Sequence, residues 1–240
     1  MSLVAESKRQ NRWVRTPTLQ GLLLVSVIAL FAKLLASMIL QYRDYFPADF
    51  STDFLAGRSG YFYGWYATAF YIHIISGPLA VIAGAVLMLS GTNRHLQKTH
   101  QWMGKLQAVL VLGLVLPSGF AMATRAITGV VAGSAFVAHG LATGTCMVLA
   151  VRFALNGQLH KHRRWATRCF LLLCAPLLLR FIASITTAME IQHWIQYETV
   201  YQLNAWLSWS IPWLVYEIVV RRNQETESNK TILFNGRGAG

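Results

Sequence analysis

Lys161-His162-Arg163-Arg164-Trp165-Ala166-Thr167-Arg168 is a basic stretch set directly before a long apolar run. It has an upstream echo, Lys98-Thr99-His100-Gln101-Trp102-Met103-Gly104-Lys105, which also leads into an apolar run. A helix rising 1.5 Å per residue crosses the hydrocarbon core in about 20 residues, and both runs are that long. The two stretches therefore read as the mouths of membrane helices. The composition agrees: of 240 residues, 55% are hydrophobic and only 12% charged, against about 25% charged in a soluble domain. A net charge of +12 could suggest nucleic acid. Its concentration at helix ends points instead to a lipid bilayer as the partner. Cys146, Cys169 and Cys174 lie inside apolar runs, odd in number and without a CxxC spacing, so they form neither a disulfide framework nor a thiolate zinc site.

Working outward, the pattern predicts an all-α, polytopic membrane helical bundle with six transmembrane helices. The predicted spans are residues 19–41, 66–90, 103–124, 130–155, 166–189 and 202–220. The first is too long for a signal-peptide core, which runs about 7–15 residues. Helices two to five are expected to form a four-helix core. Residues 1–18 are expected as an N-terminal segment, residues 19–220 as the transmembrane domain, and residues 221–240 as a disordered tail. Pro117 should bend the third helix, with Pro176 and Pro212 as kink sites in the last two. Residues 42–65 are rich in aromatics and are expected to lie along the lipid headgroups.

Six spans put the N-terminus, the loops near residues 92–102 and 156–165, and the tail on one side. That side holds Lys8, Arg9, Arg12, Arg15, Arg94, Lys98, Lys105, Arg152, Lys161, Arg163, Arg164, Arg168, Arg221 and Arg222. The opposite side holds Arg43, Arg58 and Arg125 near its helix ends, and residues 190–201 have no Lys or Arg. The positive-inside rule then places both termini in the cytoplasm, with the bacterial inner membrane as the expected location. On this reading Arg163, Arg164 and Arg168 need no ligand to explain them.

Ionisable side chains within a membrane span are costly and tend to be functional. The candidates are His73, His139 and Arg180. His73 lies about 10 Å, and His139 about 13 Å, from the outer end of its helix. The two helices run in the same direction, so these histidines share a level. His100 and His162 open the third and fifth helices and share a second level. The four form an outer and an inner pair on four consecutive helices. Haem b takes two axial imidazoles from facing helices, so each pair is a candidate pair of ligands to haem iron. The competing reading of the same residues is structural: interhelical hydrogen bonds for His73 and His139, interfacial anchoring beside Trp102 and Trp165 for His100 and His162. Arg180 is a candidate partner for a haem propionate, a quinone oxygen or another anion, or a cation reaching the interface. Small residues at Gly77, Ala80, Gly84 and Gly91, and at Gly140 and Gly144, mark faces of close helix packing. Glu217 is expected to pair with Arg221 at i,i+4.

The run His73-Ile74-Ile75-Ser76-Gly77-Pro78-Leu79, with His100-Gln101-Trp102-Met103-Gly104-Lys105, His162-Arg163-Arg164-Trp165-Ala166-Thr167-Arg168 and Leu179-Arg180, resembles a bacterial multi-pass membrane family, Domain of Unknown Function 2306. Gln101, Lys105 and Ala166 stand where that pattern has Arg, Arg and Met, and His139 is not part of it. The resemblance implies a fold and a membrane location, with no activity attached. The placing of the four histidines is also similar, in topology alone, to the cytochrome b561 four-helix core, where the ligands lie within the helices.

No nucleophile motif, HExxH, Walker loop or dinucleotide GxGxxG occurs, so the chain is not expected to be an enzyme on its own. Three readings remain. One is a b-type haem or quinone-linked transmembrane electron-transfer protein. The second is a non-catalytic membrane subunit or assembly partner. The third is a small-molecule permease using Arg180.

Overall fold

The computed structural model describes residues 17–52, 54–91 and 94–236. Most of the predicted N-terminal segment, including Lys8, Arg9, Arg12 and Arg15, lies outside the described residues, as do residues 237–240. The chain divides into two units, Met1–Tyr42 and Arg43–Gly240. The first contains one helix, α1 (Pro17–Leu40), an apolar segment of 24 residues without an acidic or basic end turn.

The second unit is helical throughout, with no strand among its described residues. Its helices are α2 (Gly64–Ser90), α3 (Gln97–Val109), a π-helical segment (Leu110–Val115), α4 (Leu116–Ala123), α5 (Val130–Leu155), α6 (Leu159–Leu173), α7 (Ala175–Ala188) and α8 (Tyr197–Gly236). The π segment and α4 continue α3, and α7 continues α6. Both continuations are interrupted next to a proline, as expected of a residue that has no amide hydrogen and crowds the carbonyl four positions back. Pro117 follows the π segment, and Pro176 follows the break at Cys174. Pro212, by contrast, sits inside an unbroken α8.

Five helical segments are long and apolar enough to cross a membrane: Leu19–Asp44, Gly64–Ser90, Gln97–Ala123, Val130–Leu155 and Leu159–Ala188. The predicted sixth, at residues 202–220, is not among them. Its sequence explains why: Gln202, Asn204, Ser208, Ser210 and Glu217 dilute the apolar residues. Asn204 and Ser208 are nevertheless buried, as is Ala205, because α8 lies against α5, α6 and α7. Nor does α8 stop at Val220, where the sequence suggested a disordered tail. It continues to Gly236, through a stretch that contains no proline and no glycine before its last residue.

Small residues set the helix spacing. A Cβ on Gly140 would meet the Phe120 ring at 2.5 Å, one on Gly144 would meet Leu116 at 2.8 Å, and one on Gly84 would meet Phe170 at 2.9 Å. So α4 sits on α5, and α6 on α2, at distances that only a bare backbone permits. Gly77, from the same predicted stripe, faces open space.

The described residues of the 43–63 segment fold into an aromatic cluster over the start of α2. Phe70, fully buried, is met by Tyr45 at 5.3 Å, Phe54 at 5.5 Å and Phe62 at 5.1 Å between ring centres. Edge-to-face and stacked aromatic pairs of this kind add about 0.5–1.5 kcal/mol each beyond area burial.

Gly140→Ala should therefore lower stability by about 1–3 kcal/mol, the usual cost of overpacking, read as a reduced melting temperature in detergent. Gly77→Ala should leave the melting temperature unchanged or slightly raised, since its Cβ meets nothing.

Candidate functional site

The structure starts α3 at Gln97 and α6 at Leu159, several residues earlier than the sequence pattern suggested. His100 and His162 are thereby not at helix mouths. Each is the fourth residue of its helix, one turn inside. Their rings stand 6.4 Å apart between centres and nearly perpendicular, at 89°. Each is oriented by the helix that precedes it in the chain. His162 Nδ1 donates to the Ala150 carbonyl of α5 at 2.9 Å. His100 Nδ1 lies 3.1 Å from Ser90 Oγ at the end of α2. The Ser90 hydroxyl can donate to Leu87 O at 3.3 Å, which leaves its oxygen to accept from His100 Nδ1. In that arrangement both Nε2 atoms carry free lone pairs. Gly91 gives His100 its room: a Cβ there would lie 3.4 Å from His100 Cε1.

Arg163 is close enough to act electrostatically on His100. Arg164 has a buried Nε with no hydrogen-bond partner among the described residues. Trp102 is exposed, as an interfacial anchor would be.

The outer pair is built differently. His73 Nδ1 donates to Val115 O at 3.2 Å and lies 3.1 Å from Ser118 Oγ, so it ties α2 to the π segment. A Cβ on Gly119 would come within 3.1 Å of the ring. His139 uses the other nitrogen: Nε2 donates to Leu172 O at 2.9 Å. Leu172 is four residues before Pro176, whose missing amide hydrogen leaves that carbonyl without its usual i+4 donor. The two histidines lie within electrostatic reach of each other, and the Trp209 ring sits 6.1 Å from His139. Beside Ser118, residues Trp65, Ala69, Ile72, Leu114 and Pro117 line a cavity of about 330 Å³.

Arg180 does not join either pair. Its charge acts on Tyr201 of α8, and its side chain forms no hydrogen bond or ion pair with a described residue.

Arg168 corrects the electrostatic reading of the basic stretch. It is buried and makes a two-pronged ion pair with Glu217, Nη2 to Oε2 at 2.8 Å and Nε to Oε1. Its guanidinium also lies 4.6 Å from the Trp165 ring and 5.4 Å from that of Tyr216. Trp213 Nε1 donates to the same carboxylate at 3.1 Å. So Glu217 is held by α6, and not by Arg221, because the fork geometry and shelter of Arg168 outcompete an exposed neighbour one turn away. The sequence analysis missed Ser90, Ala150 and this pair. Ser90 and Ala150 act through the chain reversals between α2 and α3 and between α5 and α6, which spacing alone does not locate.

A family model described as predicted membrane protein (DUF2306) matches residues 70–220. The chain belongs to that family. The match spans more than half of the sequence and contains all four histidines, Arg180 and the Arg168–Glu217 pair. Searches of curated proteins and of solved structures gave no match, so likeness to cytochrome b561 has no support beyond helix topology. Membership in DUF2306 agrees with the apolar helices in making this an integral, multi-pass membrane protein.

Arg168→Gln should cost about 3 kcal/mol, the lower end for breaking a sheltered ion pair while leaving its partner charged, seen as a lower melting temperature in detergent. Glu217→Gln should cost about as much, because its amide keeps one oxygen for Arg168 Nε and Trp213 Nε1 but sets an NH2 against Arg168 Nη2 and leaves the buried cation without a countercharge.

Proposed function

We propose that this DUF2306 protein is a transmembrane electron carrier whose principal station is a b-type haem held by His100 and His162. The observation that carries the reading is the 6.4 Å separation of their ring centres. A metal about 2 Å from each imidazole nitrogen requires ring centres roughly 6 Å apart. The donor set also fits. Each Nδ1 is engaged with an oxygen, the arrangement that orients metal-ligating histidines and fixes their tautomer. Two imidazoles are too few to hold a bare zinc ion, and no group of three or more His, Cys, Asp or Glu side chains suited to a metal occurs among the described residues. Haem needs only two protein ligands, since its macrocycle supplies the rest. Arg163, close enough to act on His100, offers charge for its carboxylates.

Bound haem supplies a reversible one-electron couple. The chain's own part is to position and to shelter. Ser90 and Ala150 hold the two rings. Gly91 admits the His100 ring between helices. The basic residues balance the macrocycle's negative charge. We place both termini and this pair on the cytoplasmic side, with α8 as a sixth span, a reading supported by the basic residues gathered near His100 and His162 and by the burial of the polar side chains of α8.

A second reading is favoured for His73 and His139 by one specific feature: both donate to backbone carbonyls of proline-interrupted helices. Such bonds lock the bundle, as in a non-catalytic subunit or assembly partner, and leave His139 with its Nε2 occupied. A second haem between them would require His139 to release Leu172.

The test is the visible spectrum of purified, detergent-solubilised protein expressed with adequate haem supply. A Soret band and dithionite-induced difference bands are expected. His100→Ala and His162→Ala should each abolish them, while His73→Ala should keep them. A monodisperse preparation without a Soret band would exclude the electron-carrier reading and leave the structural one.

A further inference from the structure

At the end of α2 opposite the His100–His162 pair, Arg58 and Arg125 lie together, and Arg180 acts on the same tyrosine as Arg58. Arg58 is only 3% exposed, yet its partners among the described residues are neutral. Its Nε donates to Phe54 O at 2.6 Å, and its Nη1 to Tyr66 Oη at 2.7 Å and Tyr61 Oη at 3.3 Å. Nη1 also reaches Arg125 O at 3.5 Å. The Phe54 ring lies 4.3 Å from Cζ. Nη2 makes no hydrogen bond with a described residue.

Arg125 stands over the Tyr61 ring at 5.6 Å, and both it and Arg58 act electrostatically on Tyr66. Arg58 and Arg180 both act on Tyr201, which is within reach of Tyr66 as well. Arg58, from the 43–63 segment, thus bonds Tyr66 of α2 directly, while Arg125, after α4, acts on Tyr66 and Arg180, of α7, acts on Tyr201 of α8. None of the ion pairs among the described residues, Arg43–Asp44, Arg168–Glu217 and His193–Glu190, includes any of the three. Nearby, the Thr128 hydroxyl is buried without a partner, and the Thr128 carbonyl accepts from Gln202, next to Tyr201, at 3.0 Å.

A guanidinium as buried as Arg58 is expensive to hold without a countercharge, and adding two more cations raises the cost. The planar fork of arginine matches the oxygens of a phosphate group two at a time, and tyrosine hydroxyls supply further donors. We propose that Arg58, Arg125 and Arg180, with Tyr66 and Tyr201, form a binding site for a phosphate group on the face of the membrane opposite the histidine pair. The phosphate belongs either to a lipid headgroup or to a small soluble ligand. This inference does not depend on haem.

The full chain, purified in detergent and stripped of lipid, is titrated with inorganic phosphate, with chloride as the control, and the melting temperature is followed. In parallel, native mass spectrometry compares retention of phosphatidylglycerol with that of diacylglycerol, which lacks the phosphate. Binding in either arm is expected, and the responding arm names the source. Arg125→Gln and Arg180→Gln, neither of them as buried as Arg58, should each weaken that binding at least tenfold, and Arg180→Lys should weaken it less than Arg180→Gln. Failure of both probes to bind overturns the proposal. So does binding that both glutamine variants leave unchanged.

Discussion

Hydrocarbon supplies no hydrogen bonds, so any backbone group released inside a membrane must be met from within the protein. The second unit depends on how it meets this constraint. Its long helices are broken beside Pro117 and Pro176. At each break a histidine from a neighbouring helix provides a donor: His73 to Val115 O and His139 to Leu172 O. His162 likewise bonds Ala150 O, inside α5, and so ties α6 to α5. A histidine ring has two nitrogens, so one can serve the backbone while the other stays available. The same side chains can therefore tie helices together and present a lone pair. Only His139 uses Nε2; His73, His100 and His162 all use Nδ1.

Much of the architecture was legible because bilayer thickness is a strict ruler. The runs at residues 66–90 and 130–155 match α2 and α5 nearly end for end. The ruler fails where polar residues are helical. Gln97-Lys98-Thr99 and Leu159-His160-Lys161 looked like loop, yet they form first turns, which moved His100 and His162 from the mouths to one turn inside. It fails again for α8, whose Asn204 and Ser208 are buried where it lies against α5, α6 and α7. Depth arithmetic set His100 beside His162, and their ring centres lie 6.4 Å apart. It could not foresee that His139 turns its Nε2 to a carbonyl, because that carbonyl is orphaned only by a proline on another helix. Spacing along one helix likewise suggested Arg221 for Glu217, whereas the true partner, Arg168, comes from a different helix.

The basic stretch at residues 161–168 thereby divides into parts with different work. Arg168 is an internal clamp, sandwiched between Trp165 and Tyr216 and fixed to α8 by Glu217. Arg163 stays beside the histidine pair, whereas Arg164 lies within electrostatic reach of Glu217. The positive-inside rule accounts for a surplus of charge on one side of the membrane, but it does not say which cation faces lipid headgroups and which faces protein. Here that distinction follows from one helical turn: Arg164 and Arg168 share a face, and that face is turned toward α8, as the hydrogen bond from Tyr216 to Arg164 O also shows.

His100 is oriented by Ser90 and His162 by Ala150, each a residue of the preceding helix. Each histidine is thus preset within its own helical hairpin, α2 with α3 and α5 with α6. Hairpins of this kind can enter a membrane one after the other during synthesis. The 6.4 Å pairing comes into being only when the second hairpin docks on the first. Any group that bridges the two rings binds the docked state alone, and by mass action it would hold the late-arriving half of the protein in place.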